Sequence, residues 1–151
     1  MALALVAGAC SVSGPPDHSG ILDVREIEAQ VWNDAMPGSK PRCNVSLHLM
    51  VTNVTRDTIG FRDAEAQLFD SRSGQPLRRF PPALLVNDQP RRAFVLAPGD
   101  SAALLFRSPS WGVEPVNIGE HPSVRVSVRM WTSAERPLLH TSEATTIFET
   151  Q

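Results

Sequence analysis

At 151 residues the chain has the length of one domain with a full hydrophobic core, and 42% hydrophobic with 20% charged residues excludes both a disordered polymer and a membrane-spanning bundle. A formal net charge of −2 supplies no basic field of the kind that gathers nucleic acid, so no nucleic-acid partner is expected. The 13 prolines, nearly twice the usual share, exclude long helices, because proline removes an amide donor and clashes with the preceding turn.

Residues Ala2 to Ala9, ALALVAGA, form an apolar run too short to cross a bilayer and suited to the end of a secretory signal. Cys10 follows directly. The stretch Val6 to Ser11 resembles the bacterial lipobox, in which a peptidase cuts before a cysteine that then carries lipid. It departs from that pattern in having Ala7 where leucine is usual, and no lysine or arginine precedes the run. The resemblance implies a signal remnant over residues 1–10 and lipidation of Cys10. It further implies a bacterial lipoprotein, periplasmic or membrane-anchored, whose sole membrane contact is that lipid. Residues 11–20, SVSGPPDHSG, read as a flexible to extended tether, and residues 21–151 as the folded domain. Cys43 is the one other cysteine, so at most one disulfide can form. Lys40 and Arg42 are near it, but no histidine or helix N-terminus is at hand to make a thiolate, and it reads as inert.

Along the domain, Leu22, Val24, Ile27, Ala29 and Val31 alternate with a one-residue slip at Arg25-Glu26, which a bulged strand accommodates; the four-residue spacing of Ile27 and Val31 also leaves a helix open. Val45, Leu47, Leu49 and Val51 alternate with Ser46, His48, Met50 and Thr52, the pattern of a half-buried strand. Ala64, Ala66 and Leu68 form another, ending in the turn cluster Asp70 to Gly74, with a hairpin partner from Leu77. Phe94 to Leu96 runs into Pro98-Gly99-Asp100. Proline presets φ at the second position of that turn and glycine supplies positive φ at the third, which predicts type II. Ala102, Leu104 and Phe106 resume the alternation. Val124, Val126, Val128 and Met130 make the strongest strand, and a last one is expected near Leu138 to Phe148. About seven short strands with one apolar face each predict an all-β, immunoglobulin-like antiparallel sandwich.

The succession LHLMVTN (Leu47 to Asn53), AQLFDSRSG (Ala66 to Gly74) and FVLAPGDSAALLF (Phe94 to Phe106) resembles bacterial immunoglobulin-like lipoprotein domains and, distantly, the intracellular-proteinase-inhibitor family. It covers about Ile21 to Phe148. It implies the fold and a non-catalytic interaction or scaffolding module of the cell envelope, bound to another envelope protein; proteinase inhibition is the alternative it brings.

Neither a G-x-S-x-G elbow, H-E-x-x-H, paired C-x-x-C nor a glycine-rich phosphate loop occurs, so the chain is read as no enzyme and as needing no cofactor. His48 and Met50 share one strand face, roughly 6.5–7 Å apart, and with Met36 from the preceding loop they are the weak candidates for a copper(I) site, a second alternative; otherwise His48 and Met50 cover an outer sheet face near Trp131. Trp111, in SPSWGVEP, is either an exposed aromatic platform or a plug against the sandwich end. The segment FPPALLVNDQP places Pro81 and Pro82 beside Leu84, a candidate partner surface whose alternative is burial as a strand. Arg78-Arg79 and Arg91-Arg92 flank it and would form one anionic-ligand patch if the segment folds back. The glycosylation sequons at Asn44 and Asn53 are incidental in a bacterial chain.

Overall fold

Strict alternation makes the second strand and, through it, the core. In the computed structural model, which describes residues 20–150, β2 (Arg42–Asn53) buries every second residue. Cys43, Val45, Leu47, Leu49 and Val51 are at most 3% exposed. Its partners follow the same rule, since a pleated strand sends successive side chains to opposite faces. β1 (Leu22–Asp34) pairs antiparallel along nearly its whole length, and β8 (Ser101–Arg107) contributes Ala102, Leu104 and Phe106 from the other side.

The facing sheet is built on β3 (Ile59–Asp70) and β9 (Ser123–Thr132). Val124, Val126, Val128 and Met130 are at most 1% exposed; Val126 and Val128 pair with Leu68 and Ala66 of β3, and Phe61 joins the same core. The remaining strands are β4 (Pro76–Phe80), β5 (Ala83–Val86), β6 (Gln89–Pro90), β7 (Ala93–Leu96), β10 (Leu138–Thr141), β11 (Thr145–Thr146) and β12 (Phe148–Thr150). One sheet runs β12-β1-β2-β8-β5-β6 and the other β10-β9-β3-β4, with β7 and β11 attached to β3 and β9. The sequences β1-β2-β8-β5 and β10-β9-β3 reproduce the strand order of the two sheets of an immunoglobulin-like sandwich. The chain has that fold. The expected strands appear as β1, β2, β3, β4, β7, β8 and β9, the expected last strand is divided into β10, β11 and β12, and β5 and β6 are added in the segment of the candidate partner surface. The β1–β12 pair is parallel.

The expected bulged strand forms over Val24 to Trp32, which rules out the helical alternative, but its bulge falls between Glu26 and Glu28 rather than at Arg25-Glu26, making Ile27 the extra residue. Ile27 therefore faces solvent at 47% exposure, and Glu26 turns inward to bond His140 of the opposite sheet, Oε2 to Nε2 2.7 Å. β3 starts five residues before Ala64. A second bulge between Arg62 and Ala64, with Asp63 at φ 55°, shifts the phase, so Ile59 and Phe61 are buried out of step with Ala64 and Ala66. The Ala97–Asp100 turn forms as expected, with Asp100 N–H donating to Ala97 O at 3.0 Å and Gly99 at φ 79°.

The residues before Gly20, including Cys10 and the proposed tether, lie outside the described residues.

Candidate functional site

The proline-rich segment folds as β5, and this sorts its side chains. β5 pairs with β8 in the register Leu84↔Phe106 and Val86↔Leu104, so Leu84 and Val86 enter the core at 6% and 9% exposure. Leu84 is thus not part of a protruding surface, because its register partner Phe106 points inward. Pro81 is exposed and Pro82 half-buried. After a turn at Asn87 and Asp88, both at positive φ, β6 returns along β5, with Leu85 opposite Pro90. The chain then leaves this sheet through Arg91 and Arg92 and joins the other as β7 against β3.

That crossing leaves a pocket of about 500 Å³ at the sandwich edge. Leu84 forms part of its lining with Pro82 and Pro90, and Arg91, Arg92 and Asp63 complete the polar part. Arg91 is anchored by its main chain, N–H to Leu84 O 3.0 Å, and both arginines are exposed. Asp63 is in reach of Arg62 at 3.7 Å; among the described residues neither Arg91 nor Arg92 has an acidic partner. Arg78 and Arg79 do not join them. Arg79 bonds Glu65 at 2.8 Å on the outer face, and Arg78 donates to Leu77 O, Glu114 O and Pro115 O, holding the long β8–β9 connection.

That connection presents Trp111. Ser108 continues the strand pairing, its N–H donating to Val45 O and its Oγ accepting from Val45 N–H. The chain then turns, with Gly112 N–H donating to Pro109 O at 2.7 Å, and rejoins β2 through paired bonds between Val113 and Cys43. Trp111 lies in this turn and is 75% exposed. It does not plug the sandwich end, because Gly112 occupies the space against Arg42 instead. The Arg42 guanidinium donates to Ser110 O at 2.9 Å and lies 3.8 Å from Asp34.

The chain matches no family model and no curated protein. Among solved structures it is similar to the Pseudomonas fluorescens alkylpurine DNA glycosylase AlkC bound to DNA containing an abasic site analog, at TM-score 0.42 and 11% identity over 83% of this chain. It spans 30% of that protein's length. Northeast Structural Genomics Consortium target SoR45 is similar at 0.39 and 9% identity, over 84% of this chain and 83% of that one. The ASH / PapD-like domain 7 of human CEP192 is similar at 0.38 and 12% identity, over 100% and 99% of the two chains.

The copper candidates do not converge. His48 and Met50 do share the outer face of β2, opposite Leu105 and Ala103 of β8, but Met36 lies in the β1–β2 turn beyond Arg42, roughly 20 Å along the strand. Trp131 sits on β9, in the other sheet, with Arg129 stacked 4.0 Å over its ring, and so is no neighbour of His48. Cys43 is fully buried and free. Burial pushes its thiol up to about 11, against a smaller opposing pull from Arg78, so it is a packing residue.

Sequence reasoning missed Arg42, Asn44 and Arg107 as surface-organising residues. They sit at regular outward positions of β2 and β8, and alternation marks such positions as solvent-facing without saying which of them meet.

Proposed function

We propose that this domain is a non-catalytic interaction module of the bacterial envelope, tethered through Cys10, and that its edge pocket holds an acidic, partly apolar segment of another envelope protein. The observation that carries this reading is the pocket's composition: two arginines without acidic partners among the described residues stand beside a proline- and leucine-lined depression. Arginine keeps its charge at all physiological pH and pairs bidentately with carboxylates, while the apolar lining rewards an adjoining hydrophobic side chain. The test is photo-crosslinking in the native bacterium from a probe at Gln89, with and without Arg91→Glu and Arg92→Glu. A discrete adduct lost on charge reversal supports the reading; an adduct indifferent to it, or none, overturns it. The tether is checked separately by palmitate incorporation that disappears in Cys10→Ser.

Proteinase inhibition is supported by one feature, the exposed turn at Trp111, since inhibitors present a firmly held loop. Absence of inhibition across a protease panel at micromolar protein removes it.

A further inference from the structure

A second concavity, sharing no lining residue with the edge pocket, lies on the outer face of the sheet where β1, β2 and β8 run side by side. Its volume is about 420 Å³, within the range of small-ligand sites. Trp32 of β1 lines it, and the indole is backed by Phe148 of β12, stacked at 6.1 Å between centroids and 13° between planes. From β2 come Arg42, Asn44 and Ser46, from β8 Arg107. Ser110 is also in the lining, and the residue after it is Trp111, held outward by the turn just described.

The strands beneath this groove have their backbone groups engaged with neighbours on both sides, β1 between β12 and β2, and β2 between β1 and β8. An added peptide strand has nothing to pair with there. A ligand on this face is read by side chains alone, and those lining it are one indole, the amides of Gln30 and Asn44, the hydroxyls of Ser46, Ser108 and Ser110, and two guanidinium groups. Indole faces suit the C–H surface of a pyranose ring, and amides and guanidinium groups suit its hydroxyls. Asn44 differs from the other asparagines. Asn33, Asn53, Asn87 and Asn117 each bond main-chain atoms with their amides, whereas among the described residues the Asn44 amide has no protein partner.

Charge narrows the ligand class. The only charged side chains in the lining are Arg42 and Arg107. Arg42 is partly satisfied by Ser110 and Asp34, but Arg107 has no acidic partner among the described residues. We infer that this groove binds an oligosaccharide bearing carboxylate groups, of the uronic-acid class, with Trp32 as the ring platform and Arg107 as the carboxylate partner.

The test is titration calorimetry of the full chain with a galacturonate oligomer and with a neutral glucose oligomer of equal length. The acidic oligomer is expected to bind at least about tenfold more tightly, the usual worth of one charge-assisted hydrogen bond. Arg107→Ala should abolish that preference, Trp32→Ala should weaken both sugars, and Asn44→Ala should weaken the acidic one. Near-UV circular dichroism of each variant verifies that the fold is retained. No binding of the acidic oligomer at millimolar concentration, equal affinity for the two sugars, or full affinity in folded Arg107→Ala overturns the inference. Because Arg91 and Arg92 are absent from this groove, those outcomes leave the edge-pocket reading standing, and a failed crosslink at Gln89 leaves this one standing.

Discussion

Gly112 and Arg42 interlock: a Cβ built on Gly112 would fall 2.6 Å from both Cβ and Cδ of Arg42. The backbone of Gly112 also lies at φ 76°, where a side chain is strained regardless of space. These two facts place Trp111 where it is. Gly112→Ala is expected to lose about 1–3 kcal/mol of stability and to displace the turn. Urea denaturation and the emission maximum of Trp111, in a Trp32→Phe, Trp131→Phe background, check both effects; unchanged values would show that the turn is not held this way.

Asn53 is the polar pin of the opposite end. Fully buried, its Nδ2 donates to Asp57 O and Leu96 O, and its Oδ1 accepts from the N–H and hydroxyl of Thr55. Its own carbonyl accepts from Gly99 N–H at 2.9 Å, which ties the end of β2 to the Pro98-Gly99 turn. Asn53→Ala leaves several buried groups unpaired, each costing about 1–3 kcal/mol. A loss of about 3 kcal/mol or more is expected in chemical denaturation, against less than about 1 kcal/mol for Asn44→Ala, an outward strand position whose amide has no protein partner among the described residues.

Asp70 sets an acid limb of stability. The Ser73 amide first, then His121 at 2.9 Å, the Ser73 hydroxyl and the Arg72 amide hold its carboxyl well below the ordinary value of 3.8. A carboxylate with a lowered folded value binds its proton more readily when unfolded. Its contribution is therefore complete above about pH 4 and is lost as pH falls from there toward the folded value. Asp70→Asn should be less stable than the native chain at pH 7, and the gap should narrow as pH falls below 4. A gap that stays constant would refute the assignment.

Cys43 should resist alkylation. In a Cys10→Ser background at pH 8, iodoacetamide is expected to leave the native thiol unmodified and to label it fully in urea, as read by mass spectrometry. Rapid labelling of the native protein would contradict the burial that raises its pKa.

Where alternation is unbroken, as in Val45 to Val51 and Val124 to Met130, the sequence alone determined the strands, their buried faces and, with Pro98-Gly99, one turn type. Period-two patterning is local and needs no knowledge of partners. It failed at Ile27 and Asp63, because a bulge shifts phase by one residue and its position depends on which neighbour the strand must match. Between the two readings of Pro81, Pro82 and Leu84, a partner surface or a buried strand, the sequence could not choose for a related reason. The pairing of β5 with β8 decided that Leu84 faces Phe106 in the core. Trp111 was visible as a loop tryptophan, yet its exposure hinges on Gly112 packing against Arg42, 70 residues away in sequence. The groove formed by Trp32, Asn44 and Arg107 was wholly hidden, since outward positions on three strands become neighbours only once sheet order and register are set. Local chemistry thus determined what each strand buries, and the tertiary structure decided what the solvent-facing residues can meet.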